Sequence, residues 1–131
     1  MYRQIIQLIR DRPNCRLIFL EIPVYSIVEW NKYKRHDKPN SFKKQDDLLI
    51  GQAIALNEKI RGLNSELNSR TASPIFSTDI SHIRANSRSQ KTTIRDNYNF
   101  SLYKDGINPS EVLAKVWLKK ITQVIQSDCW E

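Results

Sequence analysis

The sequence predicts an α/β fold, and three observations carry that expectation. Leu17-Ile18-Phe19-Leu20 is an unbroken run of β-compatible apolar residues. Apolar on both faces, it has the pattern of an inner strand in a parallel sheet covered by helices. A long amphipathic stripe follows, with the length a crossover between parallel strands needs. The elements then read helix, strand, helix, strand, long loop, helix, the alternation that marks α/β proteins.

In chain order, residues 3–11 place Ile5, Ile6, Leu8 and Ile9 on one helical face, and Arg12-Pro13-Asn14 stops that helix. The first strand is Arg16–Pro23. Residues 24–45 connect, with a short helix over Ser26–Tyr33. The clearest helix spans Asp46–Ser69, where Leu49, Ala53, Leu56, Ile60, Leu63 and Leu67 recur at alternating steps of four and three. Asp46 and Asp47 suit its positive N-terminal end. Pro74–Ile80 reads as a second strand, and residues 81–107 are polar, basic and irregular. A last helix runs from Pro109 to about Ser127 on the stripe Leu113, Val116, Trp117, Ile121, Val124 and Ile125. Two strands give three helices little surface to cover. Either further strands exist or the chain is part of a larger α/β domain, and an apolar edge at Leu17–Leu20 or Ile75–Ile80 is expected to drive oligomerisation.

A chain of 131 residues fits one domain, spanning 1–131. Its composition, 40% hydrophobic and 27% charged, is ordinary for a globular protein. With glycines at 51, 62 and 106, neither a GxGxxG nor a P-loop can be written. Cys15 and Cys129 make neither a disulfide framework nor a four-ligand zinc site, and His36 and His82 have no partners at ligand spacing. No metal or other cofactor is expected. No membrane span or signal peptide is visible, which leads to a cytoplasmic or nuclear location as the expectation.

Asp105-Gly106-Ile107-Asn108-Pro109-Ser110 stands directly before the last helix. Local chemistry explains each residue by starting a helix: a turn dipeptide, an N-cap at Asn108, Pro at the first helical position, and Glu111 three residues after the cap. The segment also resembles the last conserved segment of SGNH/GDSL hydrolases, an Asp-x-x-His before the C-terminal helix, often followed by Pro. Leu17–Pro23 looks like the strand after that family's third conserved segment. The helix over 46–69 looks like the one before its last core strand, and Pro74–Ile80 like that strand. The resemblance spans about 3–127 and covers the C-terminal half of such an enzyme. It implies a partial three-layer flavodoxin-like fold, with a small parallel sheet and flanking helices.

The resemblance also implies that Asp105 holds the acid position of a Ser-His-Asp triad and Asn108 the position of the base. The Ser nucleophile and the oxyanion segments would lie before Met1. A carboxamide does not serve as a base near neutral pH, whereas imidazole does. The expectation is therefore a truncated relative of acyl-ester hydrolases, inactive as written; a complete member would take an acyl-ester small molecule as substrate.

A rival reading starts from charge. Lys and Arg number 21 against 14 Asp and Glu, a net charge of +7. Lys32, Lys34, Arg35, Lys43 and Lys44 concentrate in one segment and Arg84, Arg88, Lys91 and Arg95 in another, with Trp30, Tyr33, Tyr98, Phe100 and Tyr103 flanking them. Cations neutralise phosphates and exposed aromatics stack bases, so the alternative is a weak, sequence-tolerant nucleic-acid binder.

Overall fold

The computed structural model describes residues 1–12, 14–67, 82–84 and 96–130. It is predominantly helical, which corrects the α/β expectation. Helix α1 is Tyr2–Arg10, α2 Ile27–Tyr33, α3 Lys43–Glu66 and α4 Glu111–Trp130. Short 3-10 turns stand at Pro39–Phe42 and Phe100–Leu102. Two three-residue strands, β1 (His82–Arg84) and β2 (Asp96–Tyr98), pair antiparallel with His82 opposite Tyr98. No parallel sheet, and hence no three-layer flavodoxin-like architecture, is present among the described residues. The expected strand at 74–80 lies outside them.

The helices stand where the periodicity puts them, with local differences. In α1, Ile5, Ile6 and Ile9 are half-buried, while Leu8 is 74% exposed and leaves the expected stripe. In α3, Ala53 and Ile60 are buried and Leu49, Leu56, Leu63 and Leu67 half-buried. In α4, Leu113 is fully buried and Ile125 is exposed. Ser110, not Asn108, caps α4: its Oγ accepts from the Leu113 N–H at 3.3 Å.

Residues 15–26 form neither helix nor ladder among the described residues, and Ser26 at their end is extended, at φ −125° and ψ 120°. An extended apolar segment still has polar peptide groups, and burying them without partners is costly. Helix α3 supplies partners from its side chains. Asn64 Oδ1 accepts from the Phe19 N–H and its Nδ2 donates to the Phe19 carbonyl, both at 2.8 Å. Asn57 does the same for Ile22, at 2.8 and 2.9 Å. Each carboxamide thus imitates the edge of a neighbouring strand. The spacing explains the fit. Seven residues of helix rise about 10.5 Å, and three residues of extended chain span about 10 Å. The segment therefore runs antiparallel to α3 with matched repeat.

Between the two amides, buried Glu21 receives both Nε (2.6 Å) and Nη2 (3.0 Å) of Arg61. Farther along, Asp46 accepts from Ser26 Oγ at 2.8 Å and from the Ile27 N–H. Asp46, Ala53, Asn57, Ile60 and Asn64, all buried, fall within about 60° of one another at 3.6 residues per turn. Asp46, in the first turn of α3, thus also ties the neighbouring segment to that helix. The fully buried Val24 and Ile60 add apolar burial, at about 1.5–3 kcal/mol per side chain. Phe19 is closed over by Tyr2 of α1, ring edge to face at 4.9 Å.

Replacing either amide orphans a buried peptide group. Asn57→Ala and Asn64→Ala should each lower unfolding stability by about 2–4 kcal/mol, measured by urea denaturation. Asn31→Ala, outside the extended segment's hydrogen bonds, should change it little.

Candidate functional site

The loop 103–110 carries the sequence-predicted acid and base positions, and it is tightly determined. Tyr103 and Pro109 form an isolated antiparallel bridge. Lys104 N–H donates to the Asn108 carbonyl at 2.7 Å and Ser110 N–H to the Leu102 carbonyl at 2.9 Å. Within this hairpin-like frame Gly106 has φ +83°, a left-handed conformation that glycine adopts without a Cβ penalty. Glycine is also required by contact. A Cβ at 106 would lie 2.7 Å from Glu29 Cβ and 2.9 Å from both the Ser26 oxygen and the Trp30 nitrogen. The Gly106 carbonyl accepts from the Ser26 N–H at 2.9 Å. The loop is thereby seated on the start of α2, whose N-cap is Ser26, with Oγ accepting from the Glu29 N–H.

Asp105 is 7% exposed. Its Oδ1 accepts from the Ile107 N–H at 3.0 Å and the Asn108 N–H at 2.7 Å, and its Oδ2 accepts from Asn108 Nδ2 at 2.7 Å. The Asn108 backbone N–H, then its carboxamide, hold the Asp105 carboxyl below its usual value of 3.8, against the opposing effect of desolvation. Asp105 and Asn108 are thus brought together as acid and base positions would be. A carboxamide in that place donates to the carboxylate and cannot take a proton from a nucleophile.

Aromatic rings anchor the start of the loop. Tyr103 lies 5.4 Å from Phe100 and 6.0 Å from Trp117, centroid to centroid. Its hydroxyl is buried without a hydrogen-bond partner among the described residues. Burial, then Tyr25 and Tyr98, push that phenol above its ordinary value of 10.0.

The basic residues divide into two groups. Lys32 pairs with Glu29 at 2.6 Å and Lys43 with Asp47 at 3.1 Å. Lys34 Nζ sits over the Trp30 ring at 4.7 Å and near Tyr33 at 5.6 Å. Arg35, Lys38 and Lys44 are exposed. Of the second basic group, Arg84 contributes its backbone to β1, and Arg88, Lys91 and Arg95 lie outside the described residues, as does Asp79. Of the two histidines, His36 lies in the turn after α2, where its Nδ1 accepts from the Lys38 N–H at 3.2 Å. His82 contributes its backbone to β1.

Ser26, Asp46, Asn57 and Asn64 hold the segment 15–26 to α3, a role the sequence pattern does not assign to them. For the three on α3 the signal is faint but present: polar side chains at steps of four and three among the buried residues Ala53 and Ile60 of one helix face. Among the described residues, no group of three His, Cys, Asp or Glu side chains could hold a metal ion, and no helix is long and apolar enough to cross a membrane. Compared with protein-family models, with curated proteins and with solved structures, the chain gives no match.

The depressed Asp105 carboxyl fixes a sign. In acid the unfolded state binds more protons, so Asp105 stabilises the fold fully above about pH 4 and progressively less as pH falls below 3.8. Asp105→Asn should therefore destabilise at pH 6 and flatten the acid limb. Urea midpoints from pH 2.5 to 6 should show the two proteins converging toward the acid end.

Proposed function

We propose that the chain is a non-catalytic relative of the SGNH/GDSL ester hydrolases, in which the acid and base positions have become a structural turn. One observation carries this reading: the 2.7 Å bond from Asn108 Nδ2 to Asp105 Oδ2. It repeats the contact by which a triad acid orients its base, with a group that holds no exchangeable proton-accepting nitrogen. The placement supports the reading further. The pair precedes the final helix, on a loop fixed by Gly106 against α2. The reading rests on this local arrangement and on the sequence around it, not on a sheet.

Losing a triad member costs orders of magnitude in rate, so ester hydrolysis is not this chain's activity. What the turn retains is rigidity. Asp105 satisfies three donors at once, and the Gly106 carbonyl ties the loop to Ser26.

Two measurements test this together. The wild-type chain and Asn108→His should both leave p-nitrophenyl acetate at the buffer rate. In Asn108→His, the imidazole introduced at position 108 should titrate by NMR above the ordinary value of about 6.5, because Asp105 favours its charged form. That elevation should vanish when Asp105→Asn is added. An enzyme-like rate in the wild type, abolished by Asp105→Ala, contradicts the proposal, and so does an introduced imidazole that Asp105 does not influence.

A further inference from the structure

We propose that the corner formed by the end of α2, the turn 34–38 and the start of α3 binds single-stranded nucleic acid. Arg35 is its central phosphate contact and Tyr33 its stacking face. The inference is independent of the ester-hydrolase reading.

Residues 32–44 hold six cations and one carboxylate, Asp37. The pairs Lys32–Glu29 and Lys43–Asp47 neutralise two of the cations. Lys34, Arg35, Lys38 and Lys44 remain exposed, and no ion pair to them is formed among the described residues. Four unneutralised cations on one short corner are a site for a polyanion.

Arg35 is the pointed feature. The N–H of Arg35 donates to the Lys32 carbonyl at 3.0 Å, and that of His36 to the Asn31 carbonyl at 2.9 Å. These two bonds form a Schellman ending to α2, whose left-handed position normally belongs to glycine. Here it is arginine, at φ +57°. Among the described residues, no hydrogen bond, ion pair or cation–π contact of the guanidinium offsets the backbone strain. A long cationic side chain thus stands where glycine would make the fold more stable.

The aromatic partner is adjacent. Lys34 Nζ lies over Trp30 and near Tyr33, and the two rings stand 6.0 Å apart. This cation–π contact holds an ammonium beside a Tyr33 side chain that is half exposed. A flat π-face next to fixed cations matches a base next to its phosphates. A folded-back His36, its ring edge on Phe42 at 5.2 Å, gives the turn its shape. Single-stranded nucleic acid, with bases free to stack and a flexible backbone, fits a corner of this size.

The test uses the full chain and a labelled 12-nucleotide oligothymidylate, read by fluorescence anisotropy from 50 to 200 mM salt. Four phosphate-facing cations predict a log–log salt slope of about −2 to −3, at about 0.7 per contact for single strands. Arg35→Gly should weaken binding severalfold and flatten the slope by about 0.7, while raising the urea midpoint because glycine takes the left-handed conformation freely. Those opposite directions separate a lost ligand contact from a damaged fold. Tyr33→Ala should weaken binding by about 5- to 100-fold with the slope unchanged. Arg10→Gln, on α1, should leave binding as it is. Absence of binding at 50 mM salt overturns the proposal, as does an Arg35→Gly variant with unaltered slope. Preferential binding to phosphatidylserine vesicles, or equal competition by heparin with no effect of Tyr33→Ala, also overturns it by making the corner a membrane or general polyanion surface.

Discussion

Extended backbone cannot be buried unless its peptide groups find partners, and this molecule meets that constraint with two asparagine side chains. Asn57 and Asn64 each present a donor and an acceptor to one peptide position, Ile22 and Phe19. The coincidence of repeats makes the arrangement possible, because seven helical residues and three extended residues cover nearly the same distance. Once the segment is laid along α3, Glu21 falls beside Arg61 and Ser26 falls beside Asp46. The order of those contacts leaves little freedom for the segment to slip, since a one-residue shift would remove both amide pairs and bury Glu21 without its guanidinium.

Ser26 connects this clamp to the loop that holds the candidate site. Its hydroxyl donates to Asp46 and accepts from Glu29, and its N–H donates to the Gly106 carbonyl. The start of α2 is therefore bound from both sides, by α3 and by the loop 103–110. Gly106 lets the loop approach within contact distance of the α2 backbone, and Asp105 then organises the residues after it. The position of Asn108 follows from that chain of contacts. Chemistry at the position is limited by the side chain's nature, not by its placement: a carboxamide hydrogen-bonds well and does not shuttle protons. The other end of α2 carries the basic corner, so one short helix links the loop 103–110 to the surface proposed to bind nucleic acid.

Much of the helical content is legible in the sequence because a period near 3.6 survives in each helix, and the caps at Ser26 and Ser110 lie close to the expected boundaries. Leu17–Leu20 was less tractable. An apolar run of β-compatible residues specifies extended backbone but not what satisfies that backbone, and here a helix's amides stand where a neighbouring strand was expected. Asn57 and Asn64 look like polar interruptions of the α3 stripe until their seven-residue separation is set against the extended repeat. The short β1–β2 ladder, in a polar and basic stretch, carries no alternating pattern to announce it. For the candidate site, Asp105 and Asn108 were visible as a pair, but their mutual bond was not, since spacing alone allowed Asn108 to cap α4 instead. The basic residues were visible as a cluster. Lys32 and Lys43 read from sequence as phosphate contacts like the rest, and only the structure pairs them with Glu29 and Asp47, at i,i+3 and i,i+4; the left-handed backbone of Arg35 has no sequence signal, because the position is ordinarily glycine.

The clamp itself is most directly tested by hydrogen exchange of side-chain amides. In a ¹⁵N-labelled chain, the account predicts that the carboxamide N–H groups of Asn57 and Asn64 exchange far more slowly than that of the exposed Asn40, because each is buried and donates to a peptide carbonyl. Exchange of Asn57 and Asn64 at the rate of Asn40 would contradict it, since the extended segment would then have to be held by something other than α3.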